Sequence, residues 1–447
     1  MIKKKIGFIS LGCSKNLVDT EMMLGIMEQA GYEMTEDLSE AQVIIINTCT
    51  FIDPAKEESI QTILQAAEYK KTGKCEKLVA AGCLTQQYQR DLGKEIPEID
   101  VFIGTDSWQH ILEAVNESYD KNEKVYSFDT KPAVNEELIP RNTLTPSYSA
   151  YVKIAEGCSN GCTFCYIPYV RGPMHSRPIP SIVHEVRRLA ASGTKEFNLI
   201  AQDLSCYGRD LKNGTNLAGL LRELVKIEGV KWIRLFYLYP TYFDDELLHI
   251  ILTEDKICKY VDIPLQHISD TVLRRMHRRD SSESIRKLLK KIRGSTPRMT
   301  IRTTLMVGFP GETDEDFAQL CEFIKEVRFD DMGAFKFSPQ EGTPAARMND
   351  QIPEEVKENR YHELMAVQAA ISEENNENLT GLETEALVEE LVDDGEGHVQ
   401  AKGRTSFQAP EVDGNVYIDN PGNVKPGDFL KVRIVDGYAY DLIAERI

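Results

Sequence analysis

Cys158-Ser159-Asn160-Gly161-Cys162-Thr163-Phe164-Cys165 follows directly on an extended, apolar-alternating run, Ala150-Tyr151-Val152-Lys153-Ile154. The spacing is C-x3-C-x2-C on a short loop of small and polar residues. Three thiolates suit a soft metal ion or an iron–sulfur cluster. A cubane has four irons, so three cysteines leave one iron open to a substrate or cofactor. A structural zinc site is the competing reading, but it asks for four protein ligands. The nearest further candidate is His175, ten residues on. On spacing alone both metals stay open.

Working upstream, residues 1–135 read as a parallel α/β unit. Ile6–Leu11, Val43–Ile46, Leu78–Ala81 and Val101–Ile103 are strand-like. The all-apolar Val43–Ile46 run is expected of a sheet covered on both faces. Asn16–Ala30 carries a helical apolar stripe that stops at Gly31, and a second helix starts near Pro54. Cys13, Cys49 and Cys83 each lie one to three residues past a successive strand. Strand C-termini of a parallel sheet share one edge, where ligand sites form. Three cysteines distant in sequence are therefore expected to converge as a second three-thiolate site. Cys75 precedes its strand and is expected at the opposite edge. Residues 118–148, charged and carrying Lys131-Pro132 and Ile139-Pro140, read as a linker.

Downstream, residues 149–375 alternate strands with helices. The strands are Ala150–Ile154, Glu196–Ile200, Trp232–Phe236, Val261–Pro264, Met299–Val307 and Gly333–Phe337; the helices include Ile182–Ser192, Leu217–Ile227 and Glu283–Arg293. This pattern predicts parallel β/α architecture, a full or partial barrel with its chemistry at the strand C-terminal ends. Residues 355–379 read as a charged helix. Beyond 380 come five short strands, Thr384–Leu391, His398–Lys402, Val416–Ile418, Phe429–Val435 and Tyr438–Ala444. They are separated by turn sequences such as Asp393-Asp394-Gly395, Asp413-Gly414-Asn415, Asn420-Pro421-Gly422 and Asp436-Gly437. A small OB-type barrel is expected there.

Composition bounds the function. The chain has 447 residues and a formal charge of −19, so it would repel nucleic acid outside a local basic patch. No run of eighteen apolar residues is present, and the N-terminus reads as a first strand rather than a signal peptide. Ten cysteines without a secretion signal point to metal or redox chemistry in a reducing cytoplasm.

The Cys158–Cys165 loop and the strand before it resemble the cluster motif of the radical S-adenosylmethionine (SAM) superfamily. With Cys13, Cys49 and Cys83 upstream and a small barrel downstream, the whole chain resembles a methylthiotransferase. That resemblance implies three domains: an N-terminal methylthiotransferase domain (1–135), a radical SAM partial barrel (145–375) and a C-terminal antiparallel TRAM barrel (380–447). It implies two 4Fe-4S clusters, one on Cys158, Cys162 and Cys165 and one on Cys13, Cys49 and Cys83. SAM would chelate the open iron of the first and yield the radical. A sulfur carried on the second, methylated by another SAM, would pass to the substrate carbon, so both clusters are expected to face one cavity. No acid–base residue beyond the cluster ligands is called for.

Two branches of the family compete. One modifies an adenosine of tRNA; the other modifies the β-carbon of an aspartate in small-subunit ribosomal protein S-twelve. Leu11-Gly12-Cys13-Ser14-Lys15-Asn16, Ala201-Gln202-Asp203 and Gly403-Arg404-Thr405-Ser406-Phe407-Gln408-Ala409-Pro410 resemble the second. Residues 380–447 hold fourteen Asp plus Glu against six Lys plus Arg, a balance suited to a basic protein rather than to tRNA. The implied partners are S-twelve, free or within the assembled subunit, an electron donor and a sulfur source, with no membrane. An iron–sulfur electron-transfer protein or an RNA-binding protein remains the alternative of another class.

The resemblance also implies SAM contacts. Tyr166 occupies the adenine-packing position, and Gln202 and Asp203 that of the methionyl amino group. Gly308, in Gly308-Phe309-Pro310-Gly311-Glu312, could let backbone approach the adenosyl moiety, and Arg234 and Gln266 are read as lying at strand ends. Cys206, Cys258 and Cys321 lack motif spacing and read as bystanders. The run Arg274-Arg275-Met276-His277-Arg278-Arg279 reads as a solvated helix face.

Overall fold

The computed structural model describes residues 4–121, 123–128, 136–393 and 399–447. The turn at Asp394-Gly395, the Lys131-Pro132 pair and His398 lie outside them. The chain divides into two compact units: residues 1–146, 151–161 and 165–185, and residues 147–150, 162–164 and 186–447.

The first unit is built on six parallel strands in the order β2-β1-β3-β4-β5-β6. They are β1 (Lys5–Ser10), β2 (Glu33–Met34), β3 (Val43–Thr48), β4 (Lys77–Gly82), β5 (Val101–Ile103) and β6 (Val125–Ser127). The Val43–Ile46 run sits mid-sheet, fully buried, with Ile6 opposite Val43 and Ile44 opposite Leu78. Helix α1 (Ser14–Gln29) lays Met22, Met23 and Met27 on Ile6, Val43, Ile45 and Val79. Helices α2 (Asp53–Ala67), α3 (Tyr69–Thr72) and α4 (Cys83–Glu95) lie on the path between strands, and Ile63, Ala66, Leu84 and Leu92 cover the opposite face with Ile44, Ile46 and Ala80. Burial of both faces is what allows an uninterrupted apolar strand. The two edge strands, β2 and β6, are only two and three residues long, too short to leave a periodicity.

Residues 118–148 are not wholly a linker. They contain the end of α5 (Ile111–Lys121) and β6, which pairs with β5. The stretch after Ile139 is fastened by charge. Arg141, its side chain buried, donates to Glu21 at 2.5 Å and to Glu185 at 2.5 Å, and the Leu144 N–H donates to Glu21. A buried arginine with two carboxylates is held firmly because either partner alone would be an unpaired buried charge.

β7 (Ser149–Lys153) begins in the second unit and ends in the first. β8 (Ala155–Glu156) pairs antiparallel with β9 (His175–Ser176), and the helical turn α6 (Ile167–Val170) lies between them in sequence.

The second unit continues from the latter half of α7 (Ile179–Ala191) with β10 (Glu196–Ile200), β11 (Trp232–Leu235), β12 (Tyr260–Asp262), β13 (Thr300–Val307) and β14 (Asp331–Lys336). Sheet orders β11-β10-β7 and β12-β13-β14 are joined at the Ile233–Ile257 bridge, giving the parallel partial barrel expected. Helices α8 (Leu217–Leu224), α9 (Asp245–Thr253), α10 (Asp270–Arg275), α11 (Ser282–Arg293) and α12 (Asp314–Val327) intervene, and α13 (Glu354–Glu377) leads to the last five strands.

Those strands are β15 (Glu383–Asp393), β16 (Val399–Thr405), β17 (Val416–Asp419), β18 (Phe429–Gly437) and β19 (Leu442–Arg446), closed in the order β15-β16-β17-β19-β18. The barrel is not wholly antiparallel as expected: β17 and β19 run parallel. An odd number of strands cannot alternate direction all the way round a closed ring. The last strand also starts later than Tyr438, because Tyr438 to Asp441 closes a turn by backbone hydrogen bonding.

Within this unit the C-terminal barrel docks on the N-terminal ends of the parallel strands. Arg404 makes a bidentate contact with Glu196, the first residue of β10, at 2.7 and 3.0 Å. Asp413 accepts from Arg302, from the Tyr260 hydroxyl and from the Ala409 N–H. Trp232 packs edge-to-face on Phe429. The Gly403–Pro410 stretch that marks the branch is thus largely a joint. A cavity of about 510 Å³, lined by Lys259, Asp331, Asn376, Phe407 and Gln408, lies here, away from the strand ends that carry the expected chemistry. Among the described residues, no helix is long and apolar enough to cross a membrane.

Candidate metal centres

The first site is assembled from three strand ends of the first unit. Cys13 stands at the N-terminus of α1 after β1, Cys49 follows β3, and Cys83 opens α4 directly after β4. Since β1, β3 and β4 are neighbours in the sheet, the three thiols arrive on one edge. Gly12 shows how tightly they gather. It has φ +86°, and a Cβ there would lie 2.8 Å from Cys49 Cβ and 2.9 Å from Cys49 Sγ, so only glycine carries the chain past the sulfur. Asn16, one turn into α1, ties the loops together. Its Nδ2–H atoms donate to the Leu11 and Thr48 carbonyls at 2.9 Å each, and its Oδ1 lies 3.7 Å from Cys83 Sγ.

Cys49 and Cys83 are buried and Cys13 reaches the surface. Burial pushes the Cys83 thiol up to about 12, opposed by Arg171, and pushes Cys49 up as well, with the Cys13 charge adding to it. Cys13 behaves differently: desolvation works against its thiolate, but Lys15, Arg171 and the Asn16 and Lys15 N–H groups outweigh it and hold the thiol below its ordinary value.

Around these thiols lies a buried polar network that the sequence reading did not pick out. Arg171, immediately after α6, donates to Asp19 at 3.2 Å, to Glu156 at 2.9 Å and to Asn16 Oδ1. Lys153 bridges the same carboxylates, Asp19 at 2.6 Å and Glu156 at 2.8 Å. Burial would raise Glu156, but Arg171 and Lys153 keep it well below the usual carboxylate range. The one available signal was position: Arg171 comes six residues after Cys165, and Asn16 three after Cys13.

The residues fit a cluster on chemical grounds. Three cysteines with room made by a glycine, flanked by a cation, are a soft donor set with one coordination position to spare. Among the described residues, no three Cys, His, Asp or Glu side chains are set as around a single ion. A cubane asks for a wider set, one thiolate per iron.

The second candidate is the Cys158–Cys165 loop. All three of its cysteines are half-buried, so a ligand could reach them. Gly157 and Gly161 have φ +74° and +71°. A Cβ on Gly157 would strike the carbonyls of Arg171, Gly172 and Pro173 at 2.7 Å or less, and the Cys158 N–H donates to Gly172 O at 3.1 Å. Within the second unit, Thr163 exchanges backbone bonds with Met276 and Ala345, and Phe164 packs edge-on to Phe309. Burial, with the Cys162 charge adding to it against Arg278, pushes Tyr239 up to about 12.

The expected SAM contacts are placed as follows. Tyr166 stacks on Tyr169 with centroids 5.0 Å apart. Gln202 and Asp203 follow β10; Asp203 is buried and accepts from Ser205 Oγ at 2.6 Å. Gln266, at φ +72°, bridges Leu305 of β13. Gly308, at the end of β13, donates its N–H to Glu312, which also binds Arg360. Its φ is +72°, and a Cβ there would meet the Lys357 stem at 2.3 Å. Arg234 is different: fully buried, it donates to Glu196 and to the Ser406 and Thr405 carbonyls. What it holds is the joint with the C-terminal barrel. Cys75 and Cys321 are buried with thiols pushed up to about 11, chiefly by desolvation, as befits packing cysteines.

Residues 5–104 match the uncharacterized protein family UPF0004, residues 152–324 the radical SAM superfamily and residues 380–447 the TRAM domain. The chain is 49% identical to the ribosomal protein uS12 methylthiotransferase RimO of Geotalea uraniireducens over 445 residues, covering 99% of this chain and 98% of that one. It is 47% identical to the protein of the same name from Clostridioides difficile, with 99% and 98% covered. Among solved structures it resembles the radical SAM methyltransferase TsrM of Kitasatospora setae. The TM-score is 0.56 at 14% identity, over 74% of this chain and 73% of that one, a likeness of fold.

Proposed function

The chain belongs to the ribosomal protein uS12 methylthiotransferase family, RimO, and from that premise we infer that it adds a methylthio group to the β-carbon of an aspartate of uS12, the small-subunit protein S-twelve. It is a radical SAM enzyme, of a superfamily that works with a 4Fe-4S cluster and SAM. We further infer a second cluster and a division of labour. Cys158, Cys162 and Cys165 hold the radical SAM cluster; Cys13, Cys49 and Cys83 hold the other. When bound, the one group supplies one-electron cleavage of the SAM carbon–sulfur bond, and the other supplies a soft iron site for sulfur.

The observation that carries the second site is the meeting of Cys13, Cys49 and Cys83 at the shared edge of β1, β3 and β4. The chain's residues then have distinct tasks. The glycines at 157 and 161 let the radical loop curl with its cysteines accessible. Gln202, Asp203, Gln266 and Gly308, at or near strand C-termini, and Tyr166, at the start of α6, orient SAM. An electron donor and a sulfur source complete the set of partners. The acidic C-terminal barrel suits a basic ribosomal protein better than a tRNA.

Mass spectrometry of uS12 after incubation with the iron-reconstituted enzyme, SAM, sulfide and dithionite tests the assignment. One methylthio group on one aspartate is the expected product. Modification of tRNA with uS12 unchanged would reverse the choice of substrate.

A further inference from the structure

Arg171 is a buried cation whose contacts run to two carboxylates and, through Asn16 Oδ1, to the Cys83 thiol. We propose that Arg171 is the positioning residue of the Cys13–Cys49–Cys83 site: its guanidinium supplies the fixed positive charge that lets three thiolates share a buried edge, and it raises the reduction potential of the cluster they hold. The proposal rests on the reading of this trio as a cluster site.

Arg171 is 3% exposed, so its charge is not screened by water. One side of its fork is taken by Asp19 and Glu156 and the other by Asn16 Oδ1. The same Asn16 oxygen contacts Cys83 Sγ, so guanidinium, amide and thiol form one chain of contacts. Lys153 pairs with the same carboxylates, Asp19 and Glu156, whereas Arg171 also reaches the Asn16 oxygen that contacts Cys83.

Charge counting gives the consequence. Arg171 and Lys153 together balance Asp19 and Glu156. A three-thiolate cluster adds negative charge to this network, and one-electron reduction adds more. Cluster potentials follow net charge and hydrogen bonding near the sulfurs. Removing the guanidinium takes one positive charge from beside Asp19 and Glu156 and from the chain of contacts to Cys83, so reduction becomes harder. Arg171 also has a reason to be an arginine: only a planar fork reaches two carboxylates and an amide oxygen at once.

The test uses the full-length chain carrying Cys158→Ala, Cys162→Ala and Cys165→Ala, reconstituted with iron and sulfide so that only the proposed second cluster is present. Its midpoint is read by electron paramagnetic resonance during titration with dithionite. In this background Arg171→Met is expected to make reduction about tenfold less favourable, about 59 mV more negative for one electron. Arg171→Lys, which keeps the charge, should fall closer to the parent. Glu156→Gln, which frees the guanidinium from one carboxylate, should move the midpoint the other way. Should Arg171→Met fail to fold or to hold iron, the other two variants still decide. Midpoints unchanged in Glu156→Gln and in every iron-holding Arg171 variant would overturn the proposal. Iron analysis of the parent comes first: a parent with Arg171 intact that takes up no iron would refute the cluster reading itself and the proposal with it.

Discussion

The two cysteine triples proposed as cluster sites are built by opposite means. Cys158, Cys162 and Cys165 lie within eight residues, on a loop shaped by two left-handed glycines. Cys13, Cys49 and Cys83 are spread over seventy-one residues and meet because β1, β3 and β4 are neighbours in a parallel sheet. The local triple is half-buried throughout; the assembled one has two buried thiols and a surrounding of paired charges. A loop can present a cluster to SAM with little more than backbone curvature. A site built from strand ends needs a folded sheet first, and it must then neutralise what it buries. The difference suits a division in which the loop meets a small diffusible cofactor and the sheet edge retains sulfur.

The strongest break between the triples is chemical. Cys158→Ala should abolish 5′-deoxyadenosine formation from SAM and dithionite, measured by liquid chromatography. Cys83→Ala should leave much of that cleavage intact, stop methylthiolation of uS12 altogether, and lower bound iron from roughly eight to roughly four atoms per chain. Equal loss of SAM cleavage in both variants would erase the proposed division.

A buried charge pair that involves neither triple supplies the contrast. Arg404→Met leaves the buried Glu196 with Arg234 and the Ser149 hydroxyl but without its bidentate partner. Breaking such a pair by removing one partner costs about 3–5 kcal/mol, read as a lower midpoint in urea unfolding. Iron per folded chain should not change. If iron falls with stability, then loss of iron elsewhere reports only on folding, and the cysteine comparison loses its force.

Glycine substitutions separate the triples more finely. Gly12→Ala forces a Cβ into Cys49 at a positive φ, and Gly157→Ala forces one into three carbonyls of residues 171–173. Each costs about 1–3 kcal/mol of local strain. The first should deplete iron from the assembled site and the second from the loop. Combining each with the cysteine variants that empty the other triple lets iron analysis tell them apart.

How much of this was legible in the sequence follows from the same contrast. The loop could be read from spacing alone. The assembled triple could be read because Val43–Ile46 and Leu78–Ala81 are apolar enough to mark central strands, and each cysteine directly follows its strand. The charged network could not be read. Asp19, Lys153, Glu156 and Arg171 carry no local pattern, and their pairing depends on where β7, β8 and α6 come to lie against α1. Arg234 failed for a related reason. Strand periodicity places it on β11, yet only the packed barrel reveals that its partners are Glu196 and the Ser406 and Thr405 carbonyls. The parallel pair β17–β19 likewise follows from ring closure, which no single strand announces.

The smallest expected effect is a dependence on pH that belongs to the assembled site. Desolvation first, and then the Glu156 charge, push Asp106 of the first unit up to about 6. A carboxyl whose folded pKa lies above its unfolded value of about 4 binds its proton more tightly when folded. Its contribution therefore favours folding below about pH 4 and is lost as pH rises through about 6. Beside the loop, Tyr239 at about 12 stays protonated across this range. Asp106→Asn should then raise the melting temperature by about 2 °C at pH 8 and by less at pH 5. The Tyr239→Phe control should shift the two melts equally. An Asp106→Asn effect that is the same at both pH values would mean that Asp106 ionises as freely folded as unfolded, and that Glu156 is already neutralised by Arg171 and Lys153 before it reaches Asp106.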